Sequence, residues 1–188
     1  MIRKLDRGIT PEELLLRPDG DRYEIVNGQL VEKDLSVLSS WVETQLSMEL
    51  ALYCKTSKRG QSWNSSLGYR IFRDDPNKLR RPDGTFISAE RFSPEMFVSG
   101  YMTVVPDMAA EVVSDNDLAY EVDEKIEDYL RAGVKLVWVI NPETRTVMIH
   151  RLDGSTTKLH EDDFLDGENV LPGFRIRVQE LFPEMPSV

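Results

Sequence analysis

The feature that most constrains the fold is a strand, a helix and a second strand between residues 108 and 140. Residues 108–113 (MAAEVV) form a nearly continuous apolar run, as expected for a strand covered on both faces. A helix is predicted over about residues 118–132, and Gly133 stands where a helix-ending glycine is favoured. Residues 134–140 form a second apolar strand. This order defines a βαβ unit, so we predict that the two strands are parallel.

The segments around this unit predict a helix, a hairpin and further strands. Thr10, followed by Pro11 and two glutamates, is typical of a helix N-terminus. Asn27-Gly28 between the short runs 23–26 and 29–32 predicts a β-hairpin with a type I′ turn. We further predict a helix over 39–53, strands over 67–73, 80–87 and 146–151, and capping of the helix at 118 by Ser114, Asp115, Asn116 and Asp117.

Length and composition indicate one domain over residues 1–188. Hydrophobic residues make up 40% and charged residues 30%, which is the balance of a folded domain. We predict an α/β (α+β) fold with a mixed central sheet flanked by helices. An N-terminal helix and hairpin occupy residues 1–35, and the core with C-terminal strands occupies 36–188. Residues 1–10 contain no apolar signal segment, and no run approaches the roughly 18 apolar residues of a membrane span, so we expect a cytoplasmic protein without membrane contact.

Composition also limits which side chains could bind a metal ion. Cys54 is the only cysteine, and the chain has two histidines, so carboxylates remain as the ligands for any metal. The net charge of −10 counts against tight non-specific binding to nucleic acid. Residues 55–81, however, carry eight Lys and Arg against two Asp, whereas residues 104–131 carry nine acids against two bases. This asymmetry is typical of a basic approach surface beside an acidic centre, or of two solvated charged faces.

Glu111 and Lys125 are candidates for an active centre. Glu111 interrupts a strand buried on both faces, which is costly unless a proton, a charge partner or a cation compensates. The alternative is a glutamate at a strand end that reaches water or pairs with an arginine. Lys125 falls inside the apolar arc of the predicted helix, whereas the other charged residues, Asp128 included, fall outside it and are expected to be solvated. The arc contains Leu118, Val122, Ile126, Tyr129, Leu130 and Ala132. Lys125 could pair with Glu111 or act on a substrate, or its amine could reach water.

Asp83 lies in a Pro-Asp-Gly sequence, which is also a common turn. Arg80 and Arg81 before it and a short apolar strand after it favour a functional role. Carboxylates from two neighbouring strands can hold Mg²⁺ together with a backbone carbonyl and waters. Such an ion activates water and stabilises charge on a phosphate under attack, and a nearby lysine can position the nucleophile or stabilise the transition state.

A set of ordered motifs resembles the Uma2 family, also called DUF820, of restriction-endonuclease-like proteins in the PD-(D/E)XK nuclease superfamily. The motifs are, in chain order, residues 23–31 (YEIVNGQLV), 81–83 (RPD), 110–114 (AEVVS), Lys125 with Tyr129, Gly133-Val134, 137–142 (VWVINP) and 171–174 (LPGF). The resemblance implies a restriction-endonuclease-like core. It also implies that Asp83, Glu111 and the backbone carbonyl of Val112 hold Mg²⁺ or Mn²⁺.

The resemblance also places the remaining site residues. The lysine that the superfamily has two residues after the glutamate is Val113 here, and Lys125 matches the position of the family's lysine on the following helix. A further acid is expected on the first core helix, where Glu43 and Glu49 both remain candidates.

These observations predict a metal-dependent endonuclease that hydrolyses phosphodiester bonds of nucleic acid, with DNA as the expected substrate and Asp83, Glu111 and Lys125 as its active centre. The alternative is a catalytically silent nuclease-fold module that binds a protein or nucleic-acid partner. The small size of the chain and the two-fold symmetry of duplex DNA also lead us to expect a homodimer.

Overall fold

The fold is built around one mixed β-sheet with a helix on each face. A computed structural model describes residues 8–33, 36–97, 100–115 and 117–184; the sequence expectations for residues 1–7 and for Asn116 lie outside these ranges. The elements are α1 (Pro11–Leu15), β1 (Tyr23–Val26), β2 (Gln29–Glu32), α2 (Val37–Ser57), β3 (Gly60–Asn64), β4 (Gly84–Ser88), β5 (Met108–Val112), α3 (Ala119–Ala132), β6 (Leu136–Asn141), β7 (Thr146–Arg151), β8 (Thr156–Leu159), β9 (Phe164–Asp166) and β10 (Arg175–Arg177).

The central sheet has the strand order β3-β4-β5-β6-β7-β8. Strands β5 and β6 are parallel, with Met108 opposite Leu136 and Val112 opposite Ile140. The other neighbouring strands in this sheet are antiparallel. The predicted mixed sheet and the predicted parallel pair are therefore confirmed.

Alternate residues of the central strands face the two helices. On one face, Ala110 and Trp138 pack with Leu46 and Leu50 of α2. On the other face, Ala109 and the valines of β6 pack with Ile126 and Tyr129 of α3. Because strand side chains alternate between the two faces, Glu111 lies on the same face as Ala109 and points towards α3.

The N-terminal hairpin is a separate two-stranded sheet of β1 and β2. Asn27 and Gly28 have φ angles of 52° and 74°, as the predicted type I′ turn requires at both central residues. Ile25 exchanges backbone hydrogen bonds of 2.9 Å with Leu79, and both side chains pack with Leu14 of α1. These contacts attach the hairpin to the chain segment that leads to Asp83.

The predicted strand at 67–73 is wrong. Tyr69 forms only isolated bridges, to Arg80 and Met102, and the consecutive residues Ile71 and Phe72 are both buried, so the segment does not keep the two-residue alternation of a strand. The edge of the sheet is formed instead by β3, which has the polar sequence GQSWN and gave no apolar signal. The predicted strand at 80–87 begins only at Gly84.

Both long helices are confirmed, with changed ends. The α2 helix is longer than predicted because Ser36 caps it and exchanges hydrogen bonds with Ser39. The predicted capping of α3 by Ser114 to Asp117 is wrong for the described residues, since the N-cap is Leu118, which makes no side-chain capping bond. Asp117 instead accepts a hydrogen bond of 2.7 Å from the Ser114 backbone. No helix in the described ranges combines the length and apolar character needed to cross a membrane.

Candidate active site

Asp83, directly before β4, lies beside Glu111 of β5. Gly84 pairs with Ala110 in the antiparallel register of β4 and β5, so the preceding Asp83 lies next to Glu111. The Asp83 backbone N–H donates to the Ala110 carbonyl at 2.9 Å, and its Oδ2 accepts from the Val112 backbone N–H at 2.7 Å. Each acid is only 3% exposed. Asp83 is thus held against β5 by two hydrogen bonds.

Glu111 is paired with α3 through both carboxylate oxygens. Its Oε2 accepts from Lys125 Nζ at 3.0 Å, and its Oε1 accepts from the Tyr129 hydroxyl at 2.6 Å. Lys125 and Tyr129 lie four residues apart, about one turn of the helix, so both can reach the same carboxylate. The structure therefore brings the three predicted site residues together, and the partner of Glu111 is a lysine instead of an arginine.

Lys33, directly after β2, is a site residue that the sequence reasoning missed. Its ammonium group donates to Asp83 Oδ1 and to the Arg81 carbonyl at 3.1 Å, and its side chain is 17% exposed. A lysine after a hairpin strand is ordinarily solvated, and no spacing rule connects it to Asp83. Each of the two acids therefore has its own lysine.

A second cluster of buried charges joins the hairpin to α3. Arg80 donates to Glu24 Oε2 at 3.1 Å and to Asp128 Oδ2 at 2.7 Å, and Lys78 donates to Asp128 Oδ1 at 2.6 Å. Glu24 also accepts from the Arg81 backbone N–H at 2.6 Å. All five residues are at most 5% exposed. This cluster fixes α3, and with it Lys125 and Tyr129, relative to the hairpin.

Three sequence expectations are corrected here. Asp128 was expected to be solvated, but it is buried because Lys78 and Arg80 cover it. Part of the predicted basic approach surface is absent, since Lys78, Arg80 and Arg81 form internal contacts. Leu118 was expected in the core-facing arc of α3, yet it is 49% exposed because it precedes the first turn.

The pKa values of Glu111, Lys125 and Lys33 are all raised, but the causes differ between the acid and the lysines. Burial raises the pKa of Glu111, and the charges of Asp83 and Glu24 raise it further, against the opposing effect of Lys125. Burial by itself lowers the pKa of Lys125, but the charges of Glu111, Glu24 and Asp83 outweigh it, and the pKa rises above its usual value. The pKa of Lys33 is raised in the same way by Asp83 and Glu111, against burial. Both lysines therefore stay protonated at neutral pH.

A cavity of about 300 Å³ gives access to this cluster, and its wall includes Lys33, Glu43, Asp83, Ser114 and Lys125. Glu111 does not line this cavity, but Lys125, which bonds Glu111, does. The sequence left Glu43 and Glu49 as alternatives for the acid on the first core helix. Glu43 lines the cavity with Asp83, and Glu49 does not.

The donor set fits a hydrated divalent cation. Among the described residues, no group of three or more His, Cys, Asp or Glu side chains is arranged to hold a metal ion. Mg²⁺, however, is usually bound by one or two carboxylates and keeps several waters, and Asp83 and Glu111 provide that share. The buried Ser114 hydroxyl in the cavity wall has no hydrogen-bond partner within the described structure, so it can bond a water molecule of such an ion.

Glu43 gives the site a pH-dependent stability in the absence of metal. Burial raises its pKa to about 7, reinforced by Asp83 and Glu111 and opposed by Lys33. The folded chain then binds a proton that the unfolded chain releases near pH 4.5, so the free energy of unfolding should fall as pH rises from 4.5 to about 7. We expect Glu43→Gln to reduce this fall in urea titrations with chelator. The matched variant Glu49→Gln, on the same helix but outside the cavity, should keep the wild-type slope; an unchanged slope in Glu43→Gln would contradict the prediction.

Comparisons with known proteins identify the family and a similar fold. The sequence matches the Uma2 family, described as "Putative restriction endonuclease", over residues 11–179. The fold is similar to a crystal structure described as "a putative nuclease belonging to DUF820" from Anabaena variabilis ATCC 29413, with a TM-score of 0.77 and 18% identity. That similarity covers 93% of this chain and 97% of the other. A comparison with curated proteins found no match. The chain therefore belongs to the Uma2 family of the restriction-endonuclease type.

Proposed function

We propose that the chain is a metal-dependent endonuclease that hydrolyses phosphodiester bonds, with DNA as its substrate. The observation that carries this proposal is a pair of adjacent buried carboxylates, Asp83 directly before β4 and Glu111 on β5. The Lys125 ammonium is bonded to Glu111 at the wall of an open cavity. Family membership supports the same class of activity.

Asp83 and Glu111, with the backbone carbonyl of Val112, would hold Mg²⁺ or Mn²⁺. When bound, such an ion supplies Lewis acidity that lowers the pKa of water and stabilises negative charge on the phosphate. Asp83 is kept in place by the Val112 N–H, and Glu111 by Tyr129. The ligand positions are therefore fixed by the sheet and by α3 before substrate arrives.

The remaining residues of the cavity have separate tasks in this proposal. Lys125 cannot be a general base because its pKa is raised and it stays protonated; it instead donates to a phosphate oxygen and stabilises the charge of the transition state. Lys33 adds a second positive charge beside Asp83. Glu43 lines the cavity beside Asp83, so its carboxylate is positioned to accept a proton from the attacking water.

The test is a cleavage assay on single-stranded, duplex and branched DNA and on RNA. We expect the wild type to cleave DNA with Mg²⁺ or Mn²⁺ and to lose activity with chelator, because the charge on the phosphate would lack its main stabilisation. Asp83→Asn should lose cleavage with either ion, and Asp153→Asn, an exposed change in a distant turn, should retain it. The same ions should raise the thermal midpoint of the wild type and not that of Asp83→Asn.

Two results would reject the metal centre. The first is cleavage that persists equally with chelator and in Asp83→Asn. The second is a wild-type thermal midpoint that neither ion changes, together with a neutral effect of Asp83→Asn.

The second candidate is a silent nuclease-fold module that binds nucleic acid or a protein without cleaving. The favouring observation is that Lys33 and Lys125 already neutralise Asp83 and Glu111 without a metal. This candidate predicts binding of nucleic acid that is unaffected by chelator, with no product under any metal condition.

A further inference from the structure

The outward side of α2 carries an unusual row of apolar residues. The inward side packs on the central sheet through Val42, Leu46, Leu50, Tyr53 and Cys54. The opposite side exposes Val37, Trp41, Met48 and Leu52, which are 92%, 49%, 59% and 56% exposed. We call these four residues the outer face of α2. A helix on a protein surface ordinarily has charged and polar residues on its solvent side, so this face has the composition of a covered surface.

The outer face is a narrow and uncharged stripe. At about 100° per residue its four members fall within an arc of about 60°, as in the seam of a coiled coil. The exposed residues between positions 37 and 52 are Val37, Ser40, Trp41, Thr44, Met48, Ala51 and Leu52. None of them is charged, although 30% of the chain is charged. Loss of charge with enrichment in Trp and Met is characteristic of the centre of a protein interface.

The stripe is also symmetric about its own midpoint. Trp41 and Met48 lie equally far from the midpoint between Thr44 and Gln45, and so do Val37 and Leu52. A second α2 placed antiparallel on the first, with a two-fold axis through this midpoint, would set Trp41 against Met48 of the other copy and Val37 against Leu52. A two-fold interface requires such self-complementarity.

We propose that two copies of the chain associate through the outer face of α2, with the two helices antiparallel. The net charge of −10 makes two copies repel each other, and an uncharged face is where that repulsion is weakest. The antiparallel arrangement also sets the helix dipoles in opposite directions. The association does not depend on the proposed cleavage activity.

Sedimentation at micromolar concentration tests the proposal. The wild type should have twice the 21.6 kDa mass of one chain. Trp41→Glu and Met48→Glu should each raise the dissociation constant of the dimer by about 30-fold or more, the effect expected for a central interface residue. Leu152→Glu is the matched control: Leu152 is 52% exposed in a distant turn, and the substitution should leave the mass unchanged. A monomeric wild type, or a dimer that survives both α2 substitutions, would overturn the proposal.

Disulfide trapping tests the orientation of the helices. In one helix, positions 41 and 48 are about 10.5 Å apart along the axis, too far for an internal disulfide. The double variant Trp41→Cys/Met48→Cys should therefore oxidise to a covalent dimer, and Trp41→Cys alone should not. Cys54 is buried and can remain. Efficient cross-linking of the single Trp41→Cys variant would indicate a parallel pair and would reject the antiparallel arrangement, as would a double variant that stays monomeric on non-reducing gels.

Discussion

Replacement of Lys125 by methionine is expected to slow the proposed DNA cleavage by about 100- to 1,000-fold, the usual effect of losing one charge-stabilising donor. Methionine keeps the apolar stem but removes the ammonium group that contacts Glu111 at 3.0 Å. The positive charge available to the phosphate in the transition state is then lost. The measurement is kcat/KM on one DNA substrate with Mg²⁺, at a temperature where circular dichroism shows both proteins folded.

Lys135→Met is the matched control for this substitution. Lys135 also pairs with a buried acid, Asp107, at 2.8 Å, but it lies outside the residues that line the cavity. Its removal should leave cleavage within about twofold, because Lys135 is half exposed and away from the cavity and Asp107 keeps its 2.8 Å bond from Arg91. Equal cleavage by the wild type and Lys125→Met would remove Lys125 from the mechanism.

Replacement of Arg80 by methionine is expected to lower the free energy of unfolding by about 3–5 kcal/mol, the range for breaking a buried ion pair on one side. Glu24 would lose the 3.1 Å bond that it accepts from Arg80, while Asp128 would keep Lys78. Glu24 is 1% exposed, so water cannot replace the lost partner. Urea unfolding followed by tryptophan fluorescence measures the change.

The control for Arg80 is an exposed ion pair on the same hairpin. Arg22 donates to Glu32 at 2.7 Å, and the two side chains are 60% and 50% exposed. Arg22→Met should therefore change the free energy of unfolding by less than about 1 kcal/mol. If Arg80→Met has as small an effect as Arg22→Met, the buried cluster does not hold the hairpin to α3.

Much of the fold was predictable because its signals are local. The apolar runs of β5 and β6, the turn at Asn27-Gly28 and the capping pair Thr10 and Glu13 each depend on residues a few positions apart. The polar edge strand β3 was missed because an edge strand needs no apolar face towards a core. The strand predicted at 67–73 was wrong for a different reason. The apolar residues of this segment are buried, but they do not form a β-ladder.

The candidate site likewise contains residues that the sequence predicted and residues that it did not. Glu111 and Lys125 lie in one βαβ unit, so the cost of a buried acid and the arc of one helix indicated both residues. Their pairing was one of several alternatives, and the structure shows it. Asp83 depended on the family resemblance, because a Pro-Asp-Gly sequence is equally typical of a turn. Lys33 and Glu24 gave no such signal, since each lies on the hairpin, far in sequence from the residue it contacts.

The sequence by itself determined the βαβ unit at the centre of the sheet, with its two parallel strands, and the core-facing position of Lys125 on the helix between them. Each follows from a period of two or 3.6 residues and from the cost of burying a charge. Only the tertiary structure decided that Lys33 pairs with Asp83, that Glu43 lines the cavity in place of Glu49, and that Asp128 is buried by Arg80. These contacts depend on how the hairpin and α2 pack against the core. That packing brings together residues that are far apart in the sequence, and the two- and 3.6-residue periods relate only residues that are close in the sequence.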